Sequence, residues 1–305
     1  MELAPELFGE QHPEIVQVTI NLAGLRASQG RYAESEALAT EALALSRRIN
    51  GDDHLDTFKA LTNLALALRN QDKLDAAAGA YAEAVELAEA LFGENHATRL
   101  NLMNSYAGLL YRQRQLDRAE TVMRSVVDGR TELLGSEHID TLFSMNNRGL
   151  LLIDRGRNDQ ANELFADLVA RVDRAAPPGH WFRWVTRNSY ARTLMNLDRR
   201  AEAEPLLLES FEALHRALGD EHMHTRGVLA NLVELYEAWN RPQEADRWRA
   251  RLNEPSADGD EAGADDSGAD DSGTDDAGAH DAGAHEAGDG DAGVGNAGAP
   301  SSRPP

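Results

Sequence analysis

Residues 51–92 read GDDHLDTFKALTNLALALRNQDKLDAAAGAYAEAVELAEALF, and Gly93 opens another version of the same 42-residue phrase. A fixed period decides an architecture before any single helix is assigned, because each unit must be one supersecondary element that buries its apolar face on its neighbours. Working outward from this stretch, His12, His54, His96, His138, His180 and His222 fall 42 residues apart without insertion or deletion. Three residues ahead of each histidine stand Gly9, Gly51, Gly93, Gly135 and Gly219, with Pro177 as the exception. Ser35, Ala77, Ala119, Ala161, Ala203 and Ala245 hold a third register, always with a small side chain. The agreement predicts six repeats over residues 1–253.

Within a unit the apolar spacing is helical, as in Val18, Leu22 and Leu25 and then Ala37, Leu38, Ala42, Leu43 and Leu45. Two amphipathic helices per unit follow. First helices are expected near 13–29, 55–71, 97–113, 139–155, 181–197 and 223–239. Second helices are expected near 31–49, 73–91, 115–133, 157–174, 199–217 and 242–252. The turn between them pivots on Gly30, Asp72, Gly156, Asp198 or Asn240, residues that tolerate the left-handed conformation ending a helix, whereas Arg114 breaks that rule. Ala23, Ala65, Ala107, Gly149 and Ala191 are expected to face the small residues of the second helices, so that the axes approach to about 8 Å.

Composition bounds the function. The chain has 305 residues, no cysteine and a formal charge of −22, which excludes disulfides and thiolate chemistry. No Lys/Arg cluster offers a nucleic-acid footprint, and no apolar run reaches the ~18 residues of a membrane span. Met1 to Phe8 is acidic where a signal peptide is basic, so a cytoplasmic protein is expected. From Glu254 onward there are 14 acidic residues against Arg303 alone, with glycine at every fifth position from Gly263 to Gly298. Residues 254–305 lack the large apolar side chains needed to offset ordering entropy, and a disordered acidic tail is expected.

Catalytic and metal motifs fail on mechanism. The periodic histidines lie on repeats about 10 Å apart, whereas the ligands of one zinc ion lie within about 2.1 Å of it. Each is better placed to bond free backbone groups where a first helix begins. Gly288-Asp289-Gly290-Asp291-Ala292-Gly293 spells a dinucleotide fingerprint without the strand and helix that give it meaning. No cofactor, no metal and no enzymatic activity are expected.

The residues that carry a resemblance are Asn21-Leu22-Ala23, Gly30 with Tyr32, and Ala42-Leu43, returning as Asn63-Leu64-Ala65, Leu74, Ala77 and Ala84-Val85. They resemble the tetratricopeptide repeat, and the 42-residue unit with its Gly-x-x-His step is similar to the kinesin light chain type. The resemblance implies an all-α fold, a right-handed α-solenoid of six helix-turn-helix repeats whose first helices line a concave groove. It also implies binding to a protein or peptide partner. One groove register reads Asn21, Asn63, Ser105, Asn147, Ser189 and Asn231, and the adjacent one contributes Asn104, Asn146 and Asn188. Asn amides both donate and accept, so such a ladder suits the backbone of an extended peptide. Tyr111, Phe143 and Trp184 are candidate aromatic anchors, Trp184 alternatively filling a crevice with Trp181. Arg69, Arg112 and Arg192 are expected to face inward and to suit a carboxylate-bearing ligand.

The expected role is a scaffold or adaptor. The alternative is the sensory or docking portion of a signalling kinase or ATPase encoded upstream, because Leu7-Phe8-Gly9 matches Leu91-Phe92-Gly93 and reads like the end of a second helix whose first helix is missing.

Overall fold

The computed structural model describes residues 13–253. The expectations for Met1 to Phe8, Gly9, His12 and the acidic tail fall outside the described residues. Twelve α-helices and no strands occupy the described residues, in six pairs. The first helices are α1 (Pro13–Ser28), α3 (Leu55–Asn70), α5 (Ala97–Arg112), α7 (Ile139–Asp154), α9 (Phe182–Asn196) and α11 (Met223–Ala238). The second helices are α2 (Tyr32–Ile49), α4 (Leu74–Phe92), α6 (Leu116–Leu134), α8 (Asn158–Ala175), α10 (Arg200–Leu218) and α12 (Pro242–Leu252). Every helix packs on the next in chain order, which makes these residues an α-solenoid.

Local chemistry sets the boundaries. At the first-helix starts, Nδ1 of His54, His96, His138, His180 and His222 accepts a hydrogen bond from the backbone N–H two residues on, at 3.1–3.3 Å. An orphan donor of the first turn is thereby satisfied. At the intervening turns Gly30, Asp72, Arg114, Gly156, Asp198 and Asn240 all have positive φ, between 55° and 72°. The next residue's N–H then reaches the carbonyl five residues back, as in Lys73 to Leu68 at 3.0 Å and Gln115 to Leu110 at 2.9 Å. Arg114, the exception by residue type, therefore adopts the same geometry as the others.

The small positions are the contact points. Ser35, Ala77, Ala119, Ala161, Ala203 and Ala245 are all buried, as are Ala23, Ala65, Ala107, Gly149 and Ala191. Gly149 makes room for the Phe165 ring rather than for another small side chain, since a Cβ there would stand 2.4 Å from Phe165 Cζ. Leu61, Leu100, Leu142, Leu168, Leu194 and Leu229 fill the layers between pairs.

Candidate binding groove

At three of the five junctions the first helices sit closer to one another than the second helices do. Contacts join α1 to α3, α7 to α9 and α9 to α11, and no comparable contact joins second helices of successive repeats. Unequal spacing on the two sides of a stack bends it toward the closer side, so at these junctions the first helices form the inner wall.

Several expected groove side chains are tied across repeats. Asn63 Nδ2 donates to the Ile20 carbonyl at 3.0 Å, and Asn231 Nδ2 donates to Asn188 Oδ1 at 2.8 Å. Arg112 bonds Asp72 at 2.9 Å and the carbonyl of half-buried Arg69 at 3.4 Å. Arg192 donates to Asp154 Oδ1 at 2.7 Å, and the Tyr111 hydroxyl donates to Asp154 Oδ2. Phe143 packs on Phe182 with ring centroids 3.9 Å apart and lies 5.6 Å from Trp181. Trp184 is half-buried beneath the Arg187 guanidinium at 5.1 Å, while the Trp181 ring stacks on His224.

Asn104 and Asn146 differ from these. They occupy the same register of α5 and α7, and in each the Oδ1 atom is enclosed without a hydrogen-bond partner. Asn146 as a whole is 5% exposed. An enclosed acceptor left unmade costs about 1–3 kcal/mol. Asn147 beside it is half-buried.

Charged groups that single-register reading missed bind the array together. Glu120, 3% exposed, has Arg124 at 3.1 Å, Arg155 at 2.8 Å, Arg148 at 3.6 Å and Arg157 at 4.0 Å. Arg130 is buried at the third-to-fourth junction, where it donates to the Asp140 carbonyl, Ser144 Oγ and Asn101 Oδ1. Burial pushes its pKa below the usual guanidinium range, with Asp140 opposing. The groove ties share a different spacing, one repeat plus one residue: Asn63 to Ile20, Tyr111 to Asp154, Arg112 to Arg69 and Asn231 to Asn188 are each 43 apart, whereas Glu120 and Arg130 reach partners at other separations. Among the described residues, no group of three or more His, Asp or Glu is placed to hold a metal ion. No helix there is long and apolar enough to cross a membrane.

Helical hairpins stacked in this way define a repeat-type interaction fold. A family model described as the tetratricopeptide repeat matches residues 14–90, 56–129 and 98–173, and a second one of the same description matches 185–224. The chain belongs to the tetratricopeptide repeat family, whose members generally act as protein-interaction scaffolds. Among solved structures, it is similar to a Podosopora anserina kinesin light chain-type protein with nearly identical TPR-like repeats, at 21% identity and TM-score 0.61, over 67% of this chain and 97% of that one. BtubC from P. vanneervenii aligns with TM-score 0.59 and 19% identity, covering 72% and 88%. A Rap protein solved in complex with the Competence and Sporulation Factor aligns with TM-score 0.51 and 12% identity, covering 78% and 77%. At these identities the likeness concerns the fold, which is kinesin light chain-like. A search of curated proteins finds no match.

Proposed function

We propose that the chain is a scaffold or adaptor whose first-helix wall, centred on repeats three to five, binds an extended peptide segment of a partner protein. The observation that supports this is the pair of enclosed, unpaired Oδ1 atoms of Asn104 and Asn146 at one register of successive repeats. Neighbouring repeats are about 10 Å apart and an extended chain rises about 3.3 Å per residue, so two such amides match backbone groups three residues apart. The Asn χ2 torsion is soft, and a modest rotation turns the amide toward a ligand. Asn147 and Asn188 extend the ladder, while Phe143 and Trp184 flank it and supply side-chain selectivity. Arg69, at the far end, suits a carboxylate. Arg112 and Arg192 hold Asp72 and Asp154, and they act on the ligand by shaping the wall.

The test is to select linear peptides from a random phage-displayed library against the full chain. Their affinities are then compared for the native protein and Asn104→Ala with Asn146→Ala. Capture should weaken at least about tenfold, the effect of roughly 1.4 kcal/mol, while helicity is kept and melting is not lowered. Selected peptides that bind both proteins equally, or a library that yields none, would defeat the reading.

A further inference from the structure

The second helices of the last two repeats carry a basic cleft, and an inference from it does not rest on the groove. A cleft of about 380 Å³ opens between α10 and α12, with Leu208, Phe211 and Trp248 as its floor and Arg216, Arg247 and Arg251 on its rim. Phe211 and Trp248 meet edge to face at 5.1 Å. The Arg251 guanidinium lies 4.5 Å over Phe211, and that of Arg247 lies 5.5 Å from the Trp248 ring. These flat aromatic contacts hold the cations in place without neutralising them.

The charge of the cleft is unbalanced. Asp220 sits beside Arg251 at 3.4 Å and His215 at 2.5 Å, and Glu212 is the acid on the lining. Arg216 and Arg247 are exposed and have no carboxylate partner among the described residues. In a chain of net charge −22, two of the three arginines rimming the cleft thus stand without a carboxylate partner. Its size matches the lower end of ligand clefts, about 300–1,000 Å³.

We propose that this cleft is a docking site for an acidic peptide segment, and that its occupant is the Asp-rich stretch 258–276 of the same chain. The stretch carries Asp258, Asp260 and Glu261 followed by the pairs Asp265-Asp266, Asp270-Asp271 and Asp275-Asp276, with no Lys or Arg among them. Glycine, alanine, serine and threonine fill the intervening positions, so no bulky side chain has to be cleared. Connectivity favours the contact within one chain. Glu254 is three residues beyond Arg251, and a dozen residues of chain span up to about 40 Å, so the acidic pairs reach the rim easily. A short tether also gives an effective concentration in the millimolar range, enough for weak charge-assisted bonds to fill the site.

The chain has no cysteine, so Ser272→Cys takes a nitroxide label at one place in the full-length protein. The readout is paramagnetic broadening of the Trp248 indole resonance, assigned by comparison with Trp248→Phe. At about 20 mM NaCl its intensity should fall at least about twofold more than that of Trp184, and it should recover near 0.5 M, where screening acts within a few ångströms. Arg216→Gln with Arg247→Gln should abolish the excess broadening at low salt. Broadening indifferent to salt and to those arginines would overturn the proposal. Broadening that grows with protein concentration would overturn it too, by assigning the cleft to a second copy.

Discussion

Asp154 joins three successive repeats: its carboxylate accepts hydrogen bonds from the Tyr111 hydroxyl, 43 residues earlier, and from Arg192 at 2.7 Å, 38 residues later. These three residues lie on α5, α7 and α9, helices whose own packing does not run continuously from one to the next. In a quasi-one-dimensional array, interface terms decide whether the repeats melt together. Asp154→Ala should therefore lower stability by about 2 kcal/mol, since it removes the acceptor shared by the Tyr111 hydroxyl and the Arg192 guanidinium. It should also lower the urea m-value as unfolding loses cooperativity. In a double-mutant cycle, Tyr111→Phe should cost less in that background than in the native protein, and additive losses would show that the pair is not coupled.

Arg114 stands alone among the six turn pivots as a long side chain at positive φ, 57°, where the other positions have Gly, Asp or Asn. A left-handed conformation costs an L residue roughly 1–2 kcal/mol, part of which glycine recovers and part of which it returns as unfolded-state entropy. The Arg114 side chain is exposed. Arg114→Gly should raise the urea midpoint by the equivalent of about 0.5–1 kcal/mol. Arg114→Val should lower it, because a β-branched side chain fits that region worst.

The Gly149 contact with Phe165 gives a test of the packing. Alanine is the better helix former by about 1 kcal/mol, yet its methyl would collide with a fully buried ring. Overpacking of this kind costs about 1–3 kcal/mol, so Gly149→Ala should be destabilising by about 1 kcal/mol net. One repeat later, Ala191 and Leu207 occupy the same two registers. Phe165→Leu should accordingly relieve the clash, with the double variant more stable than the sum of the two losses by about 1 kcal/mol, read from chemical denaturation.

The helices were legible because their signals are local or strictly periodic. The histidine at each entry, the turn pivot and the small contact residue each repeat at 42, and the boundaries fall within a residue or two of the apolar pattern. The histidines do what their position implied, as Nδ1 acceptors at the helix starts. The candidate groove was less legible, because comparison of identical registers finds residues that resemble each other rather than residues that touch. Asp154 shares a register with Arg112 and Asn196, neither of which meets a tyrosine one repeat back, so no repeated signal marked it. Buried Arg130 likewise stands where the other repeats have Ser46, Ala88, Val172 and Leu214. Its partners Asn101 and Ser144 come from two neighbouring first helices, and only their placement in space explains it.

His224 offers a titration test of the sixth repeat. Its ring stacks on Trp181 at 4.9 Å and lies 5.1 Å from the His222 ring. Burial, and to a lesser degree the neighbouring His222, push its pKa down from 6.5 to about 4. The folded state therefore keeps the ring neutral, while the unfolded chain protonates it below about 6.5. Where the unfolded state binds more protons, stability rises with pH. The contribution of this ring is thus fully present above pH 6.5, is lost progressively as pH falls, and levels off below about 4. His224→Phe keeps an aromatic face against Trp181 and removes the titration. Urea midpoints followed from pH 7 to pH 4 should fall less steeply for His224→Phe than for the native chain, the gap opening below about pH 6.5. The backbone N–H of residue 224 still caps onto His222 Nδ1 in the variant, so helix entry is not altered. Parallel profiles would mean that the ring takes its proton as readily in the folded chain as in the unfolded one, and that the stack with Trp181 leaves it open to water.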